Sequence, residues 1–290
     1  PLTIKRSGAT FATSLTYVEM ETSSLTDKGT ANSYIVSAPG VYDFNASVIG
    51  NGAKGIIDTT DFHTTDVAIN PASAELLWQD IAEPISNVTY NPQTKRISFL
   101  YSGTEGNAII AAKDNSGNII WSWHIWGTDA PAEIIYGQDA GVMMDRNVGA
   151  ISATPGDVGA IGLLFQWGRK DPFIGAGSIN SNSRGKTTIT WPDAVFSSTD
   201  NGTINYTINH PTTFIKYNSS NNDWFYTGDG TTNNTRWNTK KTIYDPCPVG
   251  WRVPNGGPDN IWEKANFANA NTYYSDYKGL TFPEAMNTWY

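Results

Sequence analysis

One stretch decides how the first half of this chain folds: Asn118-Ile119-Ile120-Trp121-Ser122-Trp123-His124-Ile125-Trp126. Side chains alternate between the two faces of a β-strand, so Trp121, Trp123 and Ile125 share one face. The opposite face carries His124 and Trp126. Because both faces are rich in large apolar groups, we predict a central strand. It should be covered on one side by a second sheet and on the other by a loop or a neighbouring domain.

Outward from this stretch, turn residues separate a series of short strands, which is typical of an antiparallel β-domain. The turn Asp114-Asn115-Ser116-Gly117 predicts a hairpin with Asn107–Lys113. Pro39-Gly40 ends a strand over Ser33–Ala38, and we expect Val41–Phe44 to be its hairpin partner. Further strands are predicted at Glu75–Gln79, Ile85–Tyr90 and Arg96–Tyr101. About seven strands in roughly 120 residues fit an immunoglobulin-like β-sandwich, which we assign to residues 1–129.

The composition narrows the class of protein and excludes one class of partner. The chain has 290 residues, enough for two domains, and only 16% of them are charged. With 19 Lys and Arg against 27 Asp and Glu, the formal net charge is -8. A nucleic-acid-binding surface needs a basic footprint, so we expect no nucleic acid partner. Eleven Trp, fourteen Tyr and eleven Phe indicate a folded chain rather than a disordered one.

The second half, residues 130–290, contains isolated strands between long loops. We place the boundary in the polar, proline-containing segment Thr128–Glu133. Strands are predicted at Gly141–Asn147, Gly162–Gly168, Thr187–Trp191 and Asp223–Tyr226. The polar stretch 178–238 keeps several aromatic residues, so we expect ordered loops over a small sheet. A short helix is predicted from Asp259 or Asn260, whose side chains can cap it. The whole chain is therefore expected to be β-rich, of the α+β class.

Three strings in the second half carry a resemblance to a known family: Met144-Asp145-Arg146-Asn147-Val148-Gly149-Ala150, Leu164-Phe165-Gln166-Trp167-Gly168-Arg169 and Cys247-Pro248-Val249-Gly250-Trp251-Arg252-Val253-Pro254. They resemble the Fibrobacter succinogenes major paralogous domain, which is similar to the formylglycine-generating sulfatase-modifying enzymes and has a C-type-lectin-like fold. In those enzymes a run like Trp251-Arg252-Val253-Pro254 precedes a helix that contains a Trp-Glu pair, and the corresponding pair here is Trp262-Glu263. In the first half, Ala31–Gly40 and Trp121–Trp126 look like the β-domain that precedes such modules in surface proteins of Bacteroides-type gut bacteria. Some of those proteins are assigned to fimbrial tips or to adhesion.

The resemblance implies a C-type-lectin-like module over residues 130–290 that is incomplete at its C-terminus. In the family the module continues beyond the equivalent of Tyr290 and ends on a strand with an Arg-Cys pair. The disulfide partner of Cys247, the only cysteine in this sequence, is implied to lie in that stretch. Completion of the fold by another chain, through strand donation between pilus subunits, is the alternative.

The sequence offers catalytic and metal-binding residue types without pairing them. His63, His124 and His210 lie far apart, so a hydrogen-bonded structural role is expected for each, with catalysis or metal binding as the alternative. We expect Cys247 to be structural rather than reactive. The carboxylates considered as a glycosidase pair are Asp145, Asp157, Asp171 and Glu263. No cofactor is expected. Calcium is the alternative to solvated turns at Asn221-Asn222-Asp223 and Gly228-Asp229-Gly230, which lack EF-hand spacing.

Two aromatic clusters are the candidates for ligand binding, because exposed rings stack on sugars while polar neighbours bond the hydroxyls. The first, in the polar stretch, comprises Asp223, Trp224, Phe225, Tyr226 and Trp237, and the second, at a strand end, comprises Trp167, Arg169 and Asp171. The favoured interpretation is that the rings of the first cluster anchor the polar stretch to the small sheet. For the second cluster, a role in determining the fold is favoured over a role in ligand binding.

The hypothesis that combines these features is a non-catalytic, extracellular protein of the bacterial cell surface. It would be a fimbria-associated adhesin that binds a glycan or a host surface protein. One alternative is a structural pilus subunit that assembles with other subunits by strand donation. Another is an enzyme that acts on a polysaccharide or on a sulfatase.

Overall fold

The structure, a computed structural model, describes residues 3–6, 9–12, 21–50, 68–80, 82–137, 139–154, 157–174, 187–217, 223–229, 236–237, 241–255 and 261–264. These residues form a fold of many strands with short helices, which confirms the predicted β-rich class. The first ten strands are β1 Thr3–Arg6, β2 Ala9–Ala12, β3 Thr22–Ser24, β4 Ser33–Val36, β5 Gly40–Asn45, β6 Ser73–Gln79, β7 Ile85–Asn91, β8 Arg96–Tyr101, β9 Gly106–Lys113 and β10 Ile119–Gly127.

Two four-stranded sheets account for β3 to β10, while β1 and β2 pair with each other. One sheet has the order β4-β10-β9-β6 and the other the order β3-β5-β8-β7. The predicted hairpin of β9 and β10 is confirmed, and β7 pairs antiparallel with β8 across the next turn upstream. Residues of both sheets share one core, in which the ring centroids of Phe44 on β5 and Trp123 on β10 are 5.0 Å apart.

Strand β10 is covered on both faces, as its sequence predicts. Trp121 and Trp123 lie in the core between the sheets and are 1% exposed. On the opposite face His124 and Trp126 are also buried. There the indole N–H of Trp126 donates to the carbonyl of Ala150 at 2.8 Å. The second half of the chain, which begins at residue 130, therefore covers the outer face of this strand.

The predicted hairpin between Ser33–Ala38 and Val41–Phe44 is wrong, although both strands exist. β4 pairs parallel with β10, whereas β5 pairs with β8 in the other sheet. Pro39 and Gly40 therefore carry the chain from one sheet to the other. A Pro-Gly turn specifies a change of direction, but the partner of each strand is decided by burial against residues far along the chain.

Strands in the second half are short and come in pairs: β11 Glu133–Tyr136 with β12 Gly141–Met144, β13 Leu163–Phe165 with β14 Pro172–Ile174, and β15 Val195–Phe196 with β16 Ile215–Lys216. The helical segments are a 3-10 helix at Val158–Ala160, α1 at Ile204–Asn209 and α2 at Ile261–Lys264. α2 agrees with the predicted short helix, but Asp259 and Asn260 lie outside the described residues. Among the residues that the structure describes, no helix is long and apolar enough to cross a membrane.

Two predicted strands of the second half are wrong. Thr187–Trp191 contains only an isolated bridge from Thr187 to Asp80, and Asp223–Tyr226 is a bend. In both segments the aromatic residues pack singly on other parts of the molecule. Trp191, for example, lies with its ring centroid 5.5 Å from that of Trp78. Apolar residues that pack separately on other segments can have the same sequence pattern as a strand, although the segment does not make the hydrogen bonds of a strand.

Asn32 joins the first and second halves inside the core. Its side-chain amide donates to the carbonyls of Ile243 at 2.7 Å and Asp245 at 2.9 Å. Its amide oxygen accepts the indole N–H of Trp121 at 3.0 Å. Because Ile243 and Tyr244 belong to the same core cluster as the two sheets, the halves share buried surface. The domain boundary at residue 129 stays a prediction.

Candidate functional site

Trp167 occupies the outer corner of a tight turn that follows β13. The backbone N–H of Arg169 donates to the carbonyl of Gln166 at 2.9 Å, which closes a four-residue turn. Gly168 has a φ of 77°, as the third position of a type II turn requires. An added Cβ at Gly168 would lie 2.2 Å from the Cβ of Arg236, so only glycine fits. The turn leaves the Trp167 side chain 39% exposed.

Two buried side chains donate hydrogen bonds to the backbone of this turn. The carbonyl oxygen of Trp167 accepts the indole N–H of Trp224 at 2.6 Å and the Nε–H of Arg236 at 3.2 Å. The Trp167 ring also contacts the ring of Trp237, with centroids 4.9 Å apart. Trp224 and Trp237 are buried, at 3% and 5% exposure. Trp167 is therefore an exposed ring on a rigid support.

Arg236 is the centre of that support, and the sequence analysis missed it. Its side chain is fully buried, forms an ion pair with Asp223, and places its guanidinium 5.2 Å from the ring centroid of Trp224 and 5.4 Å from that of Phe225. Burial lowers the pKa of Arg236, although Asp223 opposes that shift. The only sequence signal for this role is its position directly before Trp237.

Arg169 supports the turn from its other side. Its guanidinium donates to the side chain of Gln166 at 2.7 Å and to the carbonyl of Thr213 at 2.9 Å, and the longer contacts reach the carbonyls of His210 and Pro211. Burial lowers the pKa of Arg169 to about 10. The guanidinium also lies 5.9 Å from the ring centroid of Trp224, so Trp224 contacts both buried arginines.

Seven of the eight predicted site residues lie in the segments that form this turn and its support, and they differ in exposure. Asp223, Trp224, Trp237 and Arg169 are buried. Phe225 and Tyr226 are partly exposed, and Tyr226 is tied by its N–H to the carbonyl of Gly202 at 2.9 Å. Trp167 is the most exposed of the seven, so a ligand approaching this site would meet its ring first.

Asp171, the eighth residue, lies elsewhere, against β10. Its carboxylate accepts hydrogen bonds from the hydroxyl of Ser122 and from Nζ of Lys170, the latter at 2.7 Å. Lys170 also donates to Ser122, and burial lowers its pKa. A hydroxyl beside a lysine amine is a nucleophile and base in some enzymes. Here all three residues are at most 4% exposed, and they join β10 to the second half.

The remaining candidates have structural partners. The ring of His124 bonds Ser33 at 3.0 Å and Asn107 at 2.9 Å, and burial lowers its pKa to about 3. Asp145 forms an ion pair with Arg146. Asp157 accepts the N–H of Gly159 at the start of the 3-10 helix. His63, Asn221, Asn222 and Gly230 lie outside the described residues.

Cys247 is buried in an apolar cluster with Trp237 and Val253, near a lysine that binds three carbonyls. Nζ of Lys241 donates to the carbonyls of Cys247, Pro248 and Trp251. Burial raises the pKa of the Cys247 thiol well above its ordinary value, which disfavours the reactive thiolate. Within the described ranges, no group of three or more His, Cys, Asp or Glu residues could hold a metal ion.

Comparisons with protein-family models, with curated proteins and with solved structures find no match for this chain.

Proposed function

We propose that this chain is a non-catalytic binding protein of the bacterial cell surface, an adhesin that binds a glycan or a host surface protein through the Trp167 turn. One observation carries the proposal: Trp167 exposes a large ring, while its backbone carbonyl is held by two buried side chains. Aromatic rings provide much of the contact energy in binding sites, and a ring that is already held in place loses little entropy when a ligand binds.

The finer fold assignment belongs to the same proposal. An immunoglobulin-like sandwich over residues 1–129 is supported by two four-stranded sheets that share one core. A C-type-lectin-like module over residues 130–290 is supported by short paired strands between long loops, and by a candidate site that is built on those loops. The extracellular location and the fimbrial association rest on the sequence resemblance.

A glycan array tests the proposal directly, with Trp167→Ala as the key variant. Since the supporting hydrogen bonds go to the backbone carbonyl of residue 167, this change removes the ring and keeps those bonds. We expect at least about a tenfold loss of affinity for the glycan selected on the array. Tyr217→Ala is the matched control, because Tyr217 is another exposed aromatic residue, at 56%. Equal binding by Trp167→Ala and the wild type would contradict the proposal. A blank array together with no binding to mucin or matrix proteins would also contradict it.

A second candidate, a pilus subunit that accepts a donated strand, is favoured by one observation. Within the described part of the chain, β4 pairs with β10 along one edge only. The carbonyls of Asn32 and Val36 accept from β10, so the alternate residue Ile35 directs its backbone groups toward the other edge. Ile35→Pro removes the outward N–H that an added strand would use. If strand donation operates, this variant should fold and fail to polymerise, whereas unchanged polymers would contradict it.

A further inference from the structure

Strands β15 and β16 form a short parallel ladder next to the Trp167 turn. Val195 pairs with Ile215 and Phe196 with Lys216. The N–H of Val195 donates to the carbonyl of Phe214, directly before β16, at 3.0 Å, and the N–H of Ser197 donates to the carbonyl of Lys216 at 2.8 Å. On its other edge β16 is held by the side chain of Gln166, which bonds both the N–H and the carbonyl of Ile215. The ladder is therefore fixed from both sides.

The two faces of this ladder differ sharply in polarity and exposure. Ile215 points inward and is fully buried. Because side chains alternate along a strand and paired residues share a face, Phe196, Phe214 and Lys216 point outward together. Phe196 is 67% exposed and Phe214 is 45% exposed. We name these three residues the β15–β16 ridge.

One ring of the ridge, that of Phe214, is held in place by a buried neighbour. Phe214 packs edge-on against Phe173, with centroids 5.5 Å apart. Phe173 is buried, and the guanidinium of Arg169 lies 5.2 Å from its ring centroid. These contacts fix the ring of Phe214, yet part of its apolar surface stays exposed to water and does not cover the core. Fixed and exposed apolar surface of this kind marks a site of interaction.

Lys216 adds a positive charge beside the ring of Phe196. Its Nζ lies 5.2 Å from the ring centroid of Phe196, a cation–π distance. No carboxylate of the described residues lies within ion-pair distance of this ammonium, although the chain has 27 acidic residues against 19 basic ones. An exposed cation that has no ion-pair partner among the described residues and lies beside an aromatic ring complements a ligand that is both anionic and apolar on one face.

We infer that the β15–β16 ridge is a second binding site, which takes a sugar that carries a carboxylate or sulfate group. The anionic group pairs with Lys216, while the C–H face of the sugar ring lies on the exposed surface of Phe214 and Phe196. A poly-glutamate peptide would use the ammonium and gain little from the rings, and a neutral sugar would do the reverse. The site goes beyond the proposed function because it involves none of the Trp167 contacts.

Titration calorimetry with three probes tests this inference: sialylated lactose, sulfated lactose and lactose. We expect at least about tenfold weaker binding of lactose than of one or both anionic probes. Lys216→Gln, which keeps an unbranched polar side chain and removes its charge, should reduce the affinity for the anionic probe to that for lactose. Phe214→Leu should weaken all binding, since it removes the ring. The two anionic probes distinguish a carboxylate from a sulfate preference.

Tyr217→Ala serves as the control that keeps the ridge intact. It should bind the anionic probe like the wild type, whereas Lys216→Gln and Phe214→Leu should not. The inference is overturned if no probe binds, if lactose binds as tightly as both anionic probes, or if Lys216→Gln leaves the affinity unchanged. Equally tight binding of a poly-glutamate peptide would also overturn it, because charge alone would then explain the affinity. Circular dichroism confirms that each variant is folded.

Discussion

The hydroxyl of Ser122 donates to the carboxylate of Asp171, and this bond joins the outer face of β10 to the second half of the chain. Lys170 completes the contact, since its Nζ lies 2.7 Å from Asp171 and also donates to Ser122. Because all three side chains are buried away from water, the charges of Asp171 and Lys170 are stabilised by each other instead of by solvent.

Asp171→Asn should therefore destabilise the protein strongly. Breaking a buried ion pair leaves the remaining charge uncompensated, at a cost of about 3–5 kcal/mol. The free energy of unfolding, from urea titration, checks this. Glu75→Gln is the matched control, because Glu75 pairs with Lys113 at the surface and such pairs are worth about 0–1 kcal/mol. Equal effects of the two changes would contradict the prediction.

His124 should make stability depend on pH in the acid range. Burial lowers its pKa from 6.5 to about 3 in the folded protein. As the pH falls, His124 is protonated near pH 6.5 in the unfolded chain but only near pH 3 in the folded protein. The stability of the folded protein therefore falls as the pH falls between these values. The slope from this group alone approaches about 1.4 kcal/mol per pH unit.

A histidine replacement isolates this contribution. His124→Gln keeps hydrogen-bonding capacity toward Ser33 and Asn107 but has no group that titrates in this range. Its stability should decline less steeply than that of the wild type between pH 6 and pH 4 in urea titrations, by about 1 kcal/mol per pH unit. Parallel curves for the two proteins would show that His124 is not the source.

Gly168→Ala should disrupt the Trp167 turn. The position has a φ of 77°, and an added Cβ would lie 2.2 Å from the Cβ of Arg236. Gly117 is the matched control, with a φ of 84° and no atom within 4 Å of an added Cβ. Alanine at 117 should cost about 1 kcal/mol from backbone strain, whereas alanine at 168 should cost at least about 2 kcal/mol more. Similar losses in thermal unfolding would contradict the close approach of Arg236.

Asn32→Ala should loosen the junction between the halves. The change removes two donors to Ile243 and Asp245 and the acceptor of the Trp121 indole, all of them buried. Each buried group left without a partner costs about 1–3 kcal/mol, so we expect a loss of at least about 3 kcal/mol. Asn118→Ala, at an exposed hairpin turn, should cost under about 1 kcal/mol by the same urea titration. A loss below that of Asn118→Ala would contradict this role.

The sequence predicts the parts of this fold that depend on local pattern. The two-residue alternation of β10 correctly indicates a strand that is buried on both faces, and the Asp114–Gly117 turn correctly indicates a hairpin. Pairings between distant strands are not encoded locally, which explains why β4 and β5 were assigned to one hairpin although they lie in different sheets.

The candidate site, like the fold, is predictable from the sequence only in part. Aromatic residues in a polar stretch predict ordered loops that are anchored by their rings. Burial, however, depends on neighbours from distant segments. Arg236 covers Trp224 and supports Trp167, and no pattern around residue 236 indicates this. Asp171 follows Arg169 by two residues but faces β10, because β14 begins directly after it.

The parallel pairing of β4 with β10 has a consequence for the order of folding. Ser33 pairs with His124, 91 residues later, whereas β9 and β10 meet across a single turn. Closing a long loop costs more entropy than closing a short one, so the β9–β10 hairpin should form early and β4 should join its free edge late. β4 is thus synthesised before β9 and β10 and yet reaches its place after them.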